Sequence, residues 1–137
     1  AGADAPKKAA IRLFFSRDHK APIVFLWAGL PLEVFERCKQ QGSAIIIERI
    51  NCHQATSRKI LLQSYRQLGL TGSCPITEAD IAVENQKLAL ADAVFCPSPM
   101  VYQSMLDNNV AQEKLLSTSY GWAPSRFPNR DLRPHEQ

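Results

Sequence analysis

Residues 22–50 constrain the fold more than any other stretch. They open on a continuous β-branched and aromatic run, 22–27 (PIVFLW). A run apolar on both faces reads as a strand buried within a parallel sheet. Ala28-Gly29 breaks it, and Pro31 suits the first turn of a helix, where its missing N–H has no intrahelical partner. Leu32, Phe35 and Cys38 then recur at helical spacing, Val34 adds to that face, and Gly42 supplies the stop. Residues 44–50 (AIIIERI) form a second β-branched strand. Strand, helix and strand in this order make a βαβ unit, whose strands are parallel and whose crossover is right-handed.

The pattern repeats downstream. Ile60, Leu61, Leu62, Tyr65 and Leu68 predict a helix closed by Gly69, and 72–75 a loop. Residues 77–91 read as a further helix, with Thr77 as cap and Asp80 in its first turn. A short buried strand follows at 93–96 (AVFC), then the turn Pro97-Ser98-Pro99. Ser98 can cap a helix over 100–108, and 115–120 (LLSTSY) gives a fourth strand ended by Gly121. Residues 9–15 (AAIRLFF) are ambiguous between helix and strand. The expected fold class is α/β: a Rossmann-like three-layer sandwich with a mostly parallel sheet. Residues 1–8 read as a tail or linker remnant, 9–123 as the domain, and 124–137 as a linker or exposed tail. The chain opens on Ala1 rather than Met, which points to processing, trimming or a piece of a longer protein.

Composition excludes some classes. With 45% hydrophobic and 21% charged residues, the 137-residue chain is neither disordered nor fibrous. Its formal charge of +3 is spread among interleaved acids and bases, so no nucleic-acid partner is expected. The longest uncharged apolar run, 21–31, is about half of what a spanning helix needs. Cys38, Cys52, Cys74 and Cys96 are dispersed and read as free thiols in a reducing cytoplasm, and no metal site is expected.

Candidate chemistry is sparse. The chain has neither GxGxxG nor GxxxxGK[ST], and no GxSxG elbow. Ser98 reads as a helix cap rather than a nucleophile, because prolines flank it, and Cys96 reads as a buried thiol. His53 follows the second strand, at the end of a parallel sheet where ligands gather. Two readings of it stay open: a loop histidine bonded to local backbone, or a contact to a polar ligand. Arg58-Lys59 reads as a solvated helix face, with a phosphate contact as the alternative, and Trp27 and Trp122 as core or interface packing.

Three stretches carry a resemblance: 25–36 (FLWAGLPLEVFE), 47–54 (IERINCHQ), and 84–102 (ENQKLALADAVFCPSPMVY) continued by 110–127 (VAQEKLLSTSYGWAPSRF). Together they resemble the N-terminal, acceptor-side domain of retaining family 4, or group 1, glycosyltransferases of the GT-B fold, across roughly residues 23–127. Ala91-Asp92, Pro97-Ser98, Lys114, Tyr120-Gly121 and Phe127 fall in register with that family's pattern. The chain departs from it in having Trp122-Ala123 where the family has Val-Asp, and Asn109 where it has Gly. The family's first strand with its glycine-rich turn has no counterpart, and neither does the donor domain. That domain's two glutamates eight positions apart have no equivalent: Glu78 is followed there by Gln86 and Glu84 by Asp92.

The resemblance implies the acceptor-side part of an enzyme that moves a sugar from a nucleotide-sugar donor to an acceptor hydroxyl. The isolated chain is then expected to be inactive. His53 and Ser98 would bind the acceptor, and Gly121 and Trp122 would mark the cleft or hinge, with Arg58 and Lys59 as weaker candidates. The implied partners are a sugar nucleotide and a carbohydrate or lipid-linked acceptor; no cofactor or metal is implied. The expected location is the cytoplasm, at most peripheral to the inner membrane face. Self-association of the isolated chain is expected from an unpaired sheet edge and an apolar face. The alternatives are a non-enzymatic α/β module that binds a sugar or a protein, and an α/β enzyme of another class.

Overall fold

The structure, a computed structural model, describes residues 5–16 and 21–121. Its elements are α1 (Ala5–Ser16), β1 (Ile23–Trp27), α2 (Leu32–Gln40), β2 (Ala44–Glu48), α3 (Gln54–Gln67), α4 (Glu78–Leu90), β3 (Ala93–Cys96), α5 (Pro99–Leu106), a short 3-10 turn (Gln112–Lys114) and β4 (Leu115–Ser117). The architecture is α/β and Rossmann-like. Its four strands are all parallel and lie in the order β1-β2-β3-β4.

That order decides where the helices go. Each right-handed crossover steps to the next strand in the same direction, so successive connections lie on the same side of the sheet. Burial agrees. Val24, Leu26, Ile45, Ile47, Val94 and Cys96 form one core with Val34, Phe35 and Cys38 of α2, Leu88 of α4, and Val101 and Met105 of α5. Of the three-layer plan, these helices supply one outer layer.

The opposite face corrects one expectation. The 22–27 run was expected to be buried on both sides, yet Ile23 is 60% exposed, Phe25 49% and Trp27 54%. The run lies on an outer strand, and among the described residues no helix covers that face. Phe25 and Phe95 pack there with ring centroids 5.8 Å apart, and Leu116 continues the row. The chain is therefore expected to self-associate through this face. Sedimentation over a concentration series checks it: Phe25→Lys should shift the chain towards monomer, and a monomeric parent would overturn the expectation.

The N-terminal segment resolves as helix. α1 begins at Ala5, so residues 5–8 join it instead of forming a tail. Ile11 and Phe15 pack against the core, and the Arg37 guanidinium lies 4.0 Å over the Phe15 ring. The fourth strand ends at Ser117, short of the expected residue 120. α3 starts at Gln54, well before the expected Ile60, because His53 serves as its cap. Pro31 stands at the N-cap of α2, one residue outside the helix.

Helix ends use the left-handed conformation where a chain reversal requires it. Gly42, at φ 82°, follows α2, with its N–H on Lys39 O at 2.9 Å and the Ser43 N–H on Cys38 O at 3.1 Å. Asn109 does the same after α5, at φ 63°, with its N–H on Leu106 O and the Val110 N–H on Met105 O, both at 3.0 Å. Asparagine tolerates this region better than other non-glycine residues. Asn109 therefore fills by conformation the place where the resembled pattern has glycine. Asn109→Ala should lower stability by about 1–2 kcal/mol, while Asn109→Gly should be neutral or better, as read by urea unfolding.

Candidate functional site

Arg49 follows β2 with the parity of Ile45 and Ile47, so it stands on the helix side of the sheet. Its guanidinium is ion-paired with Glu84 of α4; both residues are buried, at 8% and 4% exposure. The other Glu84 oxygen, Oε2, accepts the Gln54 N–H at 2.6 Å, which places a carboxylate at the N-terminus of α3.

His53 is the centre of this arrangement and is 1% exposed. Its Nδ1 accepts from the Ala55 N–H at 3.2 Å, so the ring proton sits on Nε2. Nε2 lies 2.9 Å from Asn85 Oδ1 and 3.4 Å from Glu84 Oε2. The His53 backbone N–H donates to Ser104 Oγ at 3.0 Å, and that hydroxyl donates to Val101 O at 2.7 Å. One histidine thus ties the end of β2 to α3, α4 and α5. In this geometry it holds the scaffold and does not face solvent.

The other expected site residues lie apart from it. Ser98 caps α5, its Oγ accepting from the Val101 N–H at 3.2 Å. Arg58 donates through Nε to Ile76 O at 3.0 Å and pairs with Glu78 at 3.1 Å, joining α3 to the start of α4. Lys59 is exposed on α3, as a solvated helix face requires, and Gly121 is exposed at the end of the described chain. Trp122 lies outside the described residues, as do Phe127 and the arginines beyond it.

Sequence reasoning passed over Glu84 and Asn85. A signal was present: Ile81, Glu84 and Leu88 fall on one stripe of α4, and a carboxylate on an apolar stripe needs a buried partner.

Two surfaces meet at the carboxyl ends of the strands. On the helix side, a cleft of about 200 Å3 opens between the Ala28-Gly29 loop, Arg49, Gln54 and α4. Lys87 donates to Ala28 O at 3.0 Å there, and its ammonium lies 5.6 Å from the Phe35 ring centroid. On the bare side, the strand register sets Trp27 beside Glu48 and Glu48 beside Phe95. Partial loss of solvent, followed by the Glu48 carboxylate, pushes the Tyr120 phenol above its ordinary value.

Asp92, in register with the resembled pattern, has a structural role. Lys39 Nζ donates to both of its carboxylate oxygens at 2.7 Å, and the Ile45 N–H donates to Oδ2 at 2.7 Å. The Lys39 bond first, then the Ile45 N–H, holds its carboxyl below the ordinary 3.8. A depressed folded value gives stability that is present above the unfolded pKa and lost as pH falls through the folded one. Asp92→Asn should flatten that acid limb, measured as the urea midpoint from about pH 6 down to about pH 2.

All four cysteines are free thiols; Cys38 and Cys96 are buried, and burial raises both above the ordinary thiol value. Among the described residues no three His, Cys, Asp or Glu side chains gather to hold a metal, and no helix is long and apolar enough to cross a membrane. Comparison with protein-family models, curated proteins and solved structures finds no match.

Proposed function

We propose that this chain is the acceptor-side part of a glycosyltransferase that moves a sugar from a nucleotide-sugar donor to an acceptor hydroxyl. One observation carries the reading. At the carboxyl end of a parallel sheet, half-exposed Trp27 stands beside Glu48. Carbohydrates take this chemistry: aromatic faces cover the C–H patches of a sugar ring, and a carboxylate accepts from its hydroxyls. The carboxyl end is also where ligands lie in open α/β sheets.

Three of the in-register residues lend further support, since Asp92, Ser98 and Lys114 each make a bond that joins or caps elements of the fold. Asp92 ties β2 to the start of β3. Ser98 caps α5. Lys114 donates to Ala89 O at 3.0 Å, at the end of α4. In this reading the nucleotide-sugar binds mainly to a second domain, and the cleft between the two excludes water during transfer.

The test is an amide and indole NMR titration of the chain with a panel of neutral mono- and oligosaccharides and with UDP-, GDP- and ADP-sugars. Saturable shifts of the Trp27 indole and Glu48 amide with a carbohydrate, lost in Trp27→Ala, are expected. Nucleotide-sugars should add nothing beyond their sugar. A dispersed spectrum that answers to no carbohydrate, or a response unchanged in Trp27→Ala, overturns the reading.

A further inference from the structure

We propose that the sugar bound on the bare face of the sheet is an amino sugar, its ammonium held by Glu48 beside the Trp27 and Phe95 rings. The inference rests on the glycosyltransferase reading and names the acceptor class of that same site.

The strand register builds the arrangement. Trp27 of β1 pairs with Glu48 of β2, Glu48 with Phe95 of β3, and Phe95 with Leu116 of β4. Residues paired in this way share one face of the sheet, so the four side chains form a single row at its carboxyl end. Trp27 is half-exposed, and Glu48 and Phe95 are partly buried. The next row inwards holds Phe25 and Ile46, and the Phe25 and Phe95 rings meet across β2 at 5.8 Å. One carboxylate therefore stands among aromatic and aliphatic side chains.

Nothing in the fold accounts for that charge. β2 lies inside the sheet, between β1 and β3, so Glu48 guards no free edge against pairing. Arg49, next in the chain, stands on the helix side and is paired with Glu84. Among the described residues no cation pairs with Glu48. A carboxylate partly removed from water is costly without a partner, and a cation offsets that cost.

The flanking rings select the kind of cation. Trp and Phe faces attract an ammonium electrostatically, and most strongly where it is partly desolvated. Neighbouring strands are ~4.8 Å apart, so an ammonium on Glu48 lies within reach of the rings on both sides. The same spacing lets one sugar ring lay its C–H face on Trp27 while its amino group meets Glu48. A neutral sugar would use the aromatic face alone and leave the carboxylate with hydroxyls only.

The experiment is NMR titration of the chain with glucosamine, N-acetylglucosamine, glucose and ethanolamine. It is run at about pH 6, where the free amines are protonated, and at a concentration where the chain is monomeric. The Trp27 indole and the Glu48 and Phe95 amides are read. Glucosamine should shift all three saturably and bind about fivefold or more tighter than glucose or N-acetylglucosamine. Glu48→Gln, which keeps the shape and an oxygen acceptor, should bring the three sugars to within about twofold of one another. If that variant loses its dispersed spectrum, N-acetylglucosamine carries the test, because it removes the charge from the ligand instead. Equal binding of the three sugars by the parent chain, or a preference unchanged in folded Glu48→Gln, overturns the proposal and leaves the acceptor-side reading standing. Ethanolamine binding as tightly as glucosamine would make the sugar ring unnecessary and overturn the amino-sugar assignment. Shifts that follow chain concentration and not ligand would assign the row to a second copy and overturn it as well. No response to any carbohydrate overturns both readings.

Discussion

Replacing Glu84 with alanine should cost the chain about 3–5 kcal/mol of stability. The variant leaves the Arg49 guanidinium buried with no carboxylate beside it. It also removes the acceptor of the Gln54 N–H and one neighbour of the His53 ring, so the N-terminus of α3 loses its anion. Small domains are stable by only about 5–15 kcal/mol, so the loss should be visible as a large drop in urea midpoint and a fraction unfolded at room temperature. The mechanism has its own control. A double change, Arg49→Met with Glu84→Leu, removes both charges and should recover most of the loss, because the cost of a broken buried pair is mainly the charge left behind. If the double variant is no more stable than Glu84→Ala, the ion pair is not the reason.

Phe35→Ala should cost about 3–5 kcal/mol by a different route. Phe35 is fully buried on the inner face of α2, among the sheet residues of the core. Truncation removes apolar burial and leaves a cavity that a sheet-backed helix cannot readily collapse. It also takes away the ring near the Lys87 ammonium, so the cleft should loosen with the core. Thermal unfolding followed by circular dichroism reads the loss. Phe35→Leu, which keeps most of the volume, should retain most of the stability, and equal losses from leucine and alanine would exclude cavity formation as the cause.

These effects differ in how far they could be read from sequence. Phe35 declares itself, since it recurs with Leu32 and Cys38 at helical spacing between two strand-like runs. The caps at Thr77 and Ser98 were equally legible, because capping is chemistry within a few residues of chain. The α3 cap was not. Histidine is an unusual cap, and its ring is held by Asn85, thirty-two residues away. Ser98 and His53 look alike as strand-end polar residues in the sequence, yet the first closes a local turn and the second joins four elements.

Local physics was therefore decided by sequence alone. The alternation of β-branched runs with helical stripes specified parallel βαβ units, the positions of three central helices and the caps of two, and the inward residues of each. Tertiary structure decided what depends on strand order. An apolar run such as 22–27 states that a strand is apolar on both sides; it does not state whether that strand lies inside the sheet or at its edge. The order β1-β2-β3-β4 sends the crossovers to one side, so Phe25 and Trp27 stay exposed while Val24 and Leu26 are buried. The same order brings Arg49, Glu84 and Lys87 to one cleft, because residues far apart in the chain meet only once the crossovers have closed.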